Sequence, residues 1–113
     1  MSTRDELSKH IQSLGHSLEE PGDDDPNWDL AWREGEIFRI VQVVDIAGKD
    51  EEKKLRSGLG QILRIQFIVM STAKEIVNAV LALDQQPADG SWEELCDSLG
   101  VVLTWLPDWP WLA

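Results

Sequence analysis

The sequence is poor in cysteine, the residue that stabilises many small secreted proteins. Cys96 is the only cysteine among 113 residues, so no disulfide can form within the chain. Such sparing use of cysteine is typical of the reducing cytoplasm, and we expect Cys96 to be a buried, inert thiol. The polar start of the chain also lacks the apolar core of a signal peptide. We therefore expect a cytoplasmic protein.

Long apolar runs and tyrosine are also missing. No apolar run approaches the roughly 20 residues that a membrane-spanning helix needs, so we expect no membrane partner. The absence of tyrosine contrasts with six tryptophans. A chain of this length forms one domain, here residues 1–113. We divide it into an N-terminal helix (1–20), a core (21–107) and a tryptophan-rich tail (108–113).

Basic residues are scarce, with ten Lys and Arg against twenty-one Asp and Glu, a formal net charge of −11. Proteins that bind nucleic acid rely on Lys and Arg facing the phosphates, so this balance argues against DNA or RNA as a partner. It favours a cationic peptide or a basic protein as the partner. The alternative is that the acidic residues serve solubility alone.

The periodicity of apolar residues predicts seven elements in the order α-β-β-α-β-α-β. Leu7, Ile11, Leu14 and Leu18 form one stripe of a first helix that ends before Pro21. This order predicts an α+β fold with a small mixed sheet of about four strands flanked by helices. The later helices are predicted at 51–70 and 91–99, and the strands at 29–33, 37–46, 76–83 and 101–105.

The two later helices contain further signals. Gly58 and Gly60 each cost about 1 kcal/mol in a helix interior, which predicts the close approach of another backbone or a dimer contact. We expect a homodimer. The segment 91–94, Ser-Trp-Glu-Glu, is typical of a capping box. The apolar face predicted for the long helix consists of Leu55, Leu59, Ile62, Leu63 and Phe67.

Two segments resemble small actinobacterial members of the PD-(D/E)XK nuclease superfamily. The first is residues 51–64, with Gly-Leu-Gly-Gln at 58–61, and the second runs from Trp92 through Cys96 and Gly100 to Trp105. The resemblance covers roughly residues 26–107, so the core would be nuclease-like. It implies a restriction-endonuclease-like fold in which Asp29 corresponds to the first acid of the family.

The residues at the expected nuclease site depart from the family pattern. The resemblance places Gln42, Val43 and Val44 at the (D/E)-x-K positions. Gln42 offers only a neutral carbonyl, whereas Mg²⁺ prefers anionic oxygens, and Val44 cannot replace a lysine that stabilises the charged transition state. In the Q-x-x-x-Y motif of some members, Gln61 is present but Ile65 replaces the aromatic residue. We therefore predict no nuclease activity, no metal and no other cofactor.

A polar cleft remains where the resemblance places the nuclease site. Asp29 is the candidate general base if partial burial raises its pKa; otherwise it only accepts backbone hydrogen bonds near the start of a strand. Gln42 and Gln61 are further candidates for a catalytic role. A shifted register could bring in Asp45 or Glu36 as a carboxylate, still without the lysine. The remaining residues predicted to border the cleft are Arg56 and Arg64, as ligand-binding residues.

The tryptophans are the other unusual feature. Trp28 and Trp32 flank Asp29, and we predict that they form an apolar wall for a ligand. Trp92 and Trp105 are predicted in the core. Residues 106–113, which include the tail, have two prolines that prevent a helix. The two tryptophans of the tail are expected to pack on their own domain, on a second subunit or over a ligand.

Two functions are compatible with these observations. The first is a metal-independent, non-nucleolytic module that binds a cationic peptide or protein in a tryptophan-lined cleft. The alternative is a small peptide-tailoring enzyme, because the sequence as a whole is similar to the lysinoalanine-forming proteins of duramycin- and cinnamycin-type lanthipeptide clusters. That similarity implies addition of a lysine amine to dehydroalanine, which needs a base and a shaped pocket but no metal.

Overall fold

The computed structural model describes residues 1–73 and 75–112 as a four-stranded mixed sheet flanked by three helices. The fold is α+β, and its elements follow the predicted order α-β-β-α-β-α-β. The elements are α1 (Thr3–Ser13), β1 (Leu30–Glu34), β2 (Ile37–Val44), α2 (Glu51–Ala73), β3 (Ile76–Leu83), α3 (Ser91–Ser98) and β4 (Val102–Trp105).

The strands lie in the order β1-β2-β3-β4. β1 and β2 form an antiparallel hairpin that turns at Gly35, whose φ of 61° is a conformation that glycine adopts readily. β2, β3 and β4 run parallel, so α2 and α3 serve as the crossover connections that parallel pairing requires. β1 and β4 are consequently the edge strands.

The sheet separates two apolar cores. Ile40 and Leu81 point towards α2 and α3, whereas Val41 and Val80 point towards α1 and the tail, and all four are fully buried. Successive side chains of a strand point to opposite faces, so the central strands need apolar residues at consecutive positions. This explains the continuous apolar runs of β2 and β3.

The first helix is shorter than its apolar stripe predicts. α1 ends at Ser13, and Gly15 follows with a φ of 91° that breaks the helical path. Leu7 and Ile11 are fully buried, but Leu14 is 38% exposed, and Leu18 packs on the core from the loop. The prediction of one helix running to Pro21 is therefore wrong.

Near the C-terminal end of α2, the buried apolar face differs from the predicted one. Phe67 is 61% exposed, whereas Ile65 and Val69 are buried against the sheet. The predictions for Leu55, Leu59 and Ile62 are confirmed. Neither α2 nor any other helix of the described residues is both long and apolar enough to cross a membrane.

Only one of the two α2 glycines lies at a close contact. A Cβ built on Gly58 would lie 2.5 Å from Val44 Cγ2 and 3.3 Å from Leu81 Cδ1, so the helix packs on the sheet there without room for a side chain. A close contact is therefore confirmed at Gly58, but it is made by side chains of the sheet and not by the predicted backbone. Gly60 is exposed and has no described atom within 4 Å of a built Cβ, so it is not a packing site within the domain, and a dimer contact there stays a prediction.

The start of α3 differs from a capping box. Gly90 occupies the N-cap position, and Ser91 is already helical. Asp89 Oδ1 accepts hydrogen bonds from the Ser91 N–H at 2.9 Å and from the Ser91 hydroxyl at 2.7 Å. The Ser91 hydroxyl and amide donate to Asp89, and these bonds hold the pKa of that exposed carboxyl below its usual value.

The tail packs on its own domain. Trp109 and Leu112 are buried in the core shared with α1, and the Leu112 carbonyl oxygen lies 2.6 Å from His10 Nε2. His10 is thus half-buried as a contact between α1 and the tail. Trp111 lies between the two buried residues and is 83% exposed.

Candidate functional site

Four of the seven residues predicted to form the site line one groove. This α2 groove, of about 680 Å³, lies between α2 and the polypeptide around the β1–β2 hairpin. Gln42 contributes from β2, and Arg56, Gln61 and Arg64 contribute from α2. Its remaining lining residues are Pro26, Asn27, Ser57, Gly60, Ile65 and Ile68.

Helical and strand periodicity explain this grouping. Gln42 shares a strand face with Phe38 and Ile40, so its side chain points towards α2. Arg56 and Arg64 are eight residues apart and therefore lie on one side of the helix. Arg56 Nε is 3.9 Å from Glu52 Oε1, and both side chains are more than half exposed, so this ion pair contributes little.

Asp29 does not line the α2 groove, since its carboxylate is engaged with the backbone. Asp29 Oδ2 accepts a hydrogen bond from the Val43 N–H at 2.7 Å, and its own N–H donates to the Val41 carbonyl at 3.0 Å. These bonds tie the residue before β1 to the neighbouring strand β2. The arrangement is the alternative to a general base, namely an acceptor of backbone hydrogen bonds near the start of a strand.

Trp28 and Trp32 do not form a wall for a ligand. Trp28 is 6% exposed and belongs to the core beneath α2, whereas Trp32 is fully buried in the core on the opposite face. The Trp28 Nε1–H donates to the Glu19 carbonyl and the Trp32 Nε1–H donates to Glu34 Oε1. The predicted tryptophan-lined cleft around Asp29 is therefore wrong, because both indoles are used in packing.

Glu34 lies in a compact charged cluster beside the buried Trp32. Its carboxylate oxygens lie 3.2 Å from Arg39 Nε and 3.4 Å from His16 Nε2. Burial on its own raises the pKa of Glu34, but the Trp32 hydrogen bond and the nearby Arg39 and His16 together lower it below 4.5. The half-buried His16 ring also stacks on Trp32, so this histidine is part of the packing.

The residues of the expected nuclease site do not fit a magnesium ion. Among the described residues that line the α2 groove none is a carboxylate, and Val44 fills the space opposite Gly58. Asp45 Oδ1 accepts a hydrogen bond from the Thr3 hydroxyl at 2.6 Å, which directs it towards α1. Glu36 lies in the β1–β2 turn, at the other end of β2 from Gln42. Within residues 1–73 and 75–112, no three His, Cys, Asp or Glu side chains are grouped as metal ligands.

The sequence analysis missed a second groove, which lies at the β4 edge of the sheet. This α3–β4 groove, of about 660 Å³, has three carboxylates of α3 on one wall and Trp111 on the other. Its floor is the chain from Gly100 to Leu103, at the start of edge strand β4. The carboxylates belong to Glu93, Glu94 and Asp97.

The sequence contained a signal for this groove in the distribution of its charges. All ten Lys and Arg and both His lie at or before position 74, and none follows. The carboxylates of α3 therefore have no basic neighbour from their own part of the chain. The acidic residues that follow position 74 are Glu75, Asp84, Asp89, Glu93, Glu94, Asp97 and Asp108.

Trp111 is held in an unusual way for an exposed aromatic residue. Its backbone has a φ of 71°, a left-handed conformation that is costly for a bulky residue, and the buried Trp109 and Leu112 fix the chain on both sides. Backbone strain of this kind is often found at ligand-binding sites. The indole is thus exposed to solvent between two buried residues.

The only thiol of the chain lies outside both grooves. Cys96, the only thiol, is buried beneath α3, and burial raises its pKa to about 11, so it stays protonated near neutral pH. The α2 groove offers amide and guanidinium groups and the Ser57 hydroxyl, which can orient a ligand by hydrogen bonding. The α3–β4 groove offers carboxylates and an aromatic surface, which attract cations.

Comparison with known proteins gives no relative that could assign either groove. No protein-family model, no curated protein and no solved structure matches this chain, so the resemblance to the nuclease superfamily stays a prediction from the sequence.

Proposed function

We propose that this chain is a peptide-binding module that holds a cationic, partly apolar segment of a partner in the α3–β4 groove. The observation that carries the proposal is the pairing of three α3 carboxylates with an 83% exposed Trp111 across an apolar floor. The ligand class is the one expected from the net charge of −11. The proposed binding site differs from the predicted cleft around Asp29, because Trp28 and Trp32 are buried.

Each wall of the groove suits a different part of such a ligand. Glu93 and Asp97 are one helical turn apart, so their carboxylates lie side by side on one face of α3 and can pair with Lys or Arg. The Trp111 indole can contact aliphatic groups, and it attracts a cation that lies over its ring by about 0.5–1 kcal/mol at an exposed site. Opposite charges and apolar contact are therefore available together.

The proposal is tested by calorimetry with a synthetic hexapeptide of alternating lysine and valine, acetylated and amidated at its ends. We expect saturable binding by the wild-type protein. Trp111→Ala should weaken binding about fivefold, because a contact worth about 1 kcal/mol is lost. The double variant Glu93→Gln, Asp97→Asn should weaken it at least as much and reduce its dependence on salt.

The matched control is the double variant Asp23→Asn, Asp24→Asn, which removes the same charge from the exposed loop before β1. It should leave the affinity within about twofold of wild type, since these side chains are remote in sequence and structure from α3. Equal losses in the two double variants would mean that the peptide responds to net charge only. Failure of the wild type to bind would contradict the proposal outright.

A further inference from the structure

We infer that the ligand of the α3–β4 groove binds as an added strand, pairing its backbone with the free edge of β4. The inference rests on the proposed function, since it specifies how the cationic peptide is held. Within the described residues no strand lies beyond β4 in the sheet. Edge strands present unpaired N–H and C=O groups, and addition of an extended peptide to such an edge is a recurring mode of recognition.

The backbone hydrogen bonds show which groups of this segment point away from the sheet. The Val101 N–H donates to the Cys96 carbonyl at 2.9 Å, on the α3 side. The Trp105 carbonyl accepts from the Trp109 N–H at 2.9 Å, on the tail side. Both bonds are made to residues outside β3, so odd-numbered residues direct their polar groups outwards.

The even-numbered residues are paired with the sheet. The Leu106 N–H donates to the Leu83 carbonyl at the end of β3, at 3.1 Å. Successive residues of a strand point their N–H and C=O groups alternately to the two sides. Leu103, midway between Val101 and Trp105, therefore directs both its N–H and its C=O to the outer edge.

The shape of the groove matches this edge. Its floor includes Val102 and Leu103, two consecutive residues of β4, and Val101, which immediately precedes the strand. A groove on one face of a sheet would be lined by every second residue of a strand, because side chains alternate between faces. Consecutive lining residues are expected of a groove that runs along the outer side of the strand, where a further strand would lie.

The two walls then dictate the sequence of the ligand. α3 covers the same face of the sheet as α2, whereas Trp111 belongs to the tail, which covers the opposite face. Side chains of an added strand would alternate between the α3 carboxylates and the Trp111 indole. The expected ligand is an extended segment with Lys or Arg at every second position and apolar residues between them.

The same acidic wall disfavours a second copy of this chain as the occupant. Pairing two β4 edges would bring two sets of the carboxylates of Glu93, Glu94 and Asp97 together, and charged residues beside an edge are a common protection against self-association. β4 has four residues, so the ligand would pair over a similarly short length. The inferred occupant is therefore a basic segment of another protein.

The experiment compares peptides of identical composition by calorimetry. The alternating hexapeptide Lys-Val-Lys-Val-Lys-Val should bind at least fivefold more tightly than the blocked isomer Lys-Lys-Lys-Val-Val-Val. Two further peptides methylate the backbone nitrogens of the lysines only or of the valines only. Because one set of amides faces β4 and the other faces solvent, one methylated peptide should lose binding at least tenfold and the other should retain it.

Amide exchange followed by NMR gives a second measurement, since the outward amide of Leu103 should exchange at least tenfold more slowly in the complex. Equal affinities for both isomers and for both methylated peptides would overturn strand addition. The proposed function would stand without strand addition if binding were still weakened by Trp111→Ala and by the double variant Glu93→Gln, Asp97→Asn. Absence of binding by every peptide would overturn both.

Discussion

Glu34 illustrates how a single half-buried carboxylate can remain charged in this protein. The Trp32 indole, Arg39 and His16 surround it, and together they outweigh the effect of burial and lower its pKa below 4.5. A carboxyl whose pKa is lower in the folded than in the unfolded state stabilises the fold above the unfolded pKa. That contribution is lost as the pH falls through the folded pKa.

We therefore expect Glu34→Gln to lower the free energy of unfolding by about 1 kcal/mol at pH 7, as hydrogen bonds to a charged, partly exposed group are weakened. The loss should be smaller at pH 3 than at pH 7, because the wild-type carboxyl becomes neutral as the pH falls through its folded pKa. Urea unfolding at the two pH values measures this. Glu36→Gln, at an exposed position in the adjacent turn, should change little at either pH. An equal loss at pH 3 and pH 7 would show that charge is not the cause.

The roles of single residues were the hardest feature to predict from the sequence. Asp29 had two possible roles, and only the position of the Val43 amide distinguishes a backbone acceptor from a free carboxylate. Trp28 and Trp32 are four residues apart around one aspartate, which suggested a shared surface. They lie in different cores because Trp28 precedes β1 and Trp32 is within it, and local spacing does not determine that.

At the scale of elements, α2 depends on the absence of a side chain at Gly58. Replacing Gly58 with Ala would place a Cβ 2.5 Å from the stiff, β-branched Val44. Overpacking typically costs 1–3 kcal/mol, and improved helix propensity returns about 1 kcal/mol, so we expect a net loss of about 1 kcal/mol.

The control is Gly60→Ala on the same helix, at an exposed position. There the better helix propensity of Ala acts without a clash, and the free energy of unfolding should rise by about 0.5–1 kcal/mol. Urea unfolding of both variants measures whether each substitution raises or lowers the free energy of unfolding. A stabilised Gly58→Ala variant would mean that Val44 moves aside easily and that the close contact between helix and strand is not required.

The order of the elements was predictable, whereas several of their details were not. Runs of β-branched residues marked β2 and β3 because these strands are buried on both faces. The end of α1 was mispredicted because Leu14 and Leu18 continue the helical spacing after Gly15 has turned the chain. The exposure of Phe67 was missed because several positions of α2 are apolar, and only packing on the sheet selects between them.

At the scale of the whole molecule, the tail connects the sheet to α1. Trp109 and Leu112 fill the core on the α1 face, and the Leu112 carbonyl lies against His10. Trp109→Ala should lower the free energy of unfolding by about 3–5 kcal/mol, as expected for a large buried side chain.

The matched variant Trp111→Ala should stay within about 0.5 kcal/mol of wild type, because the side chain is 83% exposed. Urea unfolding distinguishes the two, and it also establishes that Trp111→Ala is a folded protein in the binding experiments. Similar losses in both variants would mean that Trp111 packs against the domain in solution.

The candidate sites were predictable in part. Resemblance and spacing grouped Gln42, Arg56, Gln61 and Arg64 correctly around one groove. The α3–β4 groove joins α3, the edge of β4 and the tail, whose proximity depends on strand order and tail packing. The homodimer stays a prediction.

Every basic residue lies within the first 74 positions, so positive and negative charges are unevenly distributed along the sequence. The segment that follows position 74, which contains α3 and β4, has seven acidic residues and no basic residue, so the proposed basic partner would be attracted to it over a distance. The association rate constant would then be higher than for an uncharged pair, and it would fall as salt is added. The orientation of the partner would be set during its approach. The short edge of β4 would then only need to align the peptide backbone.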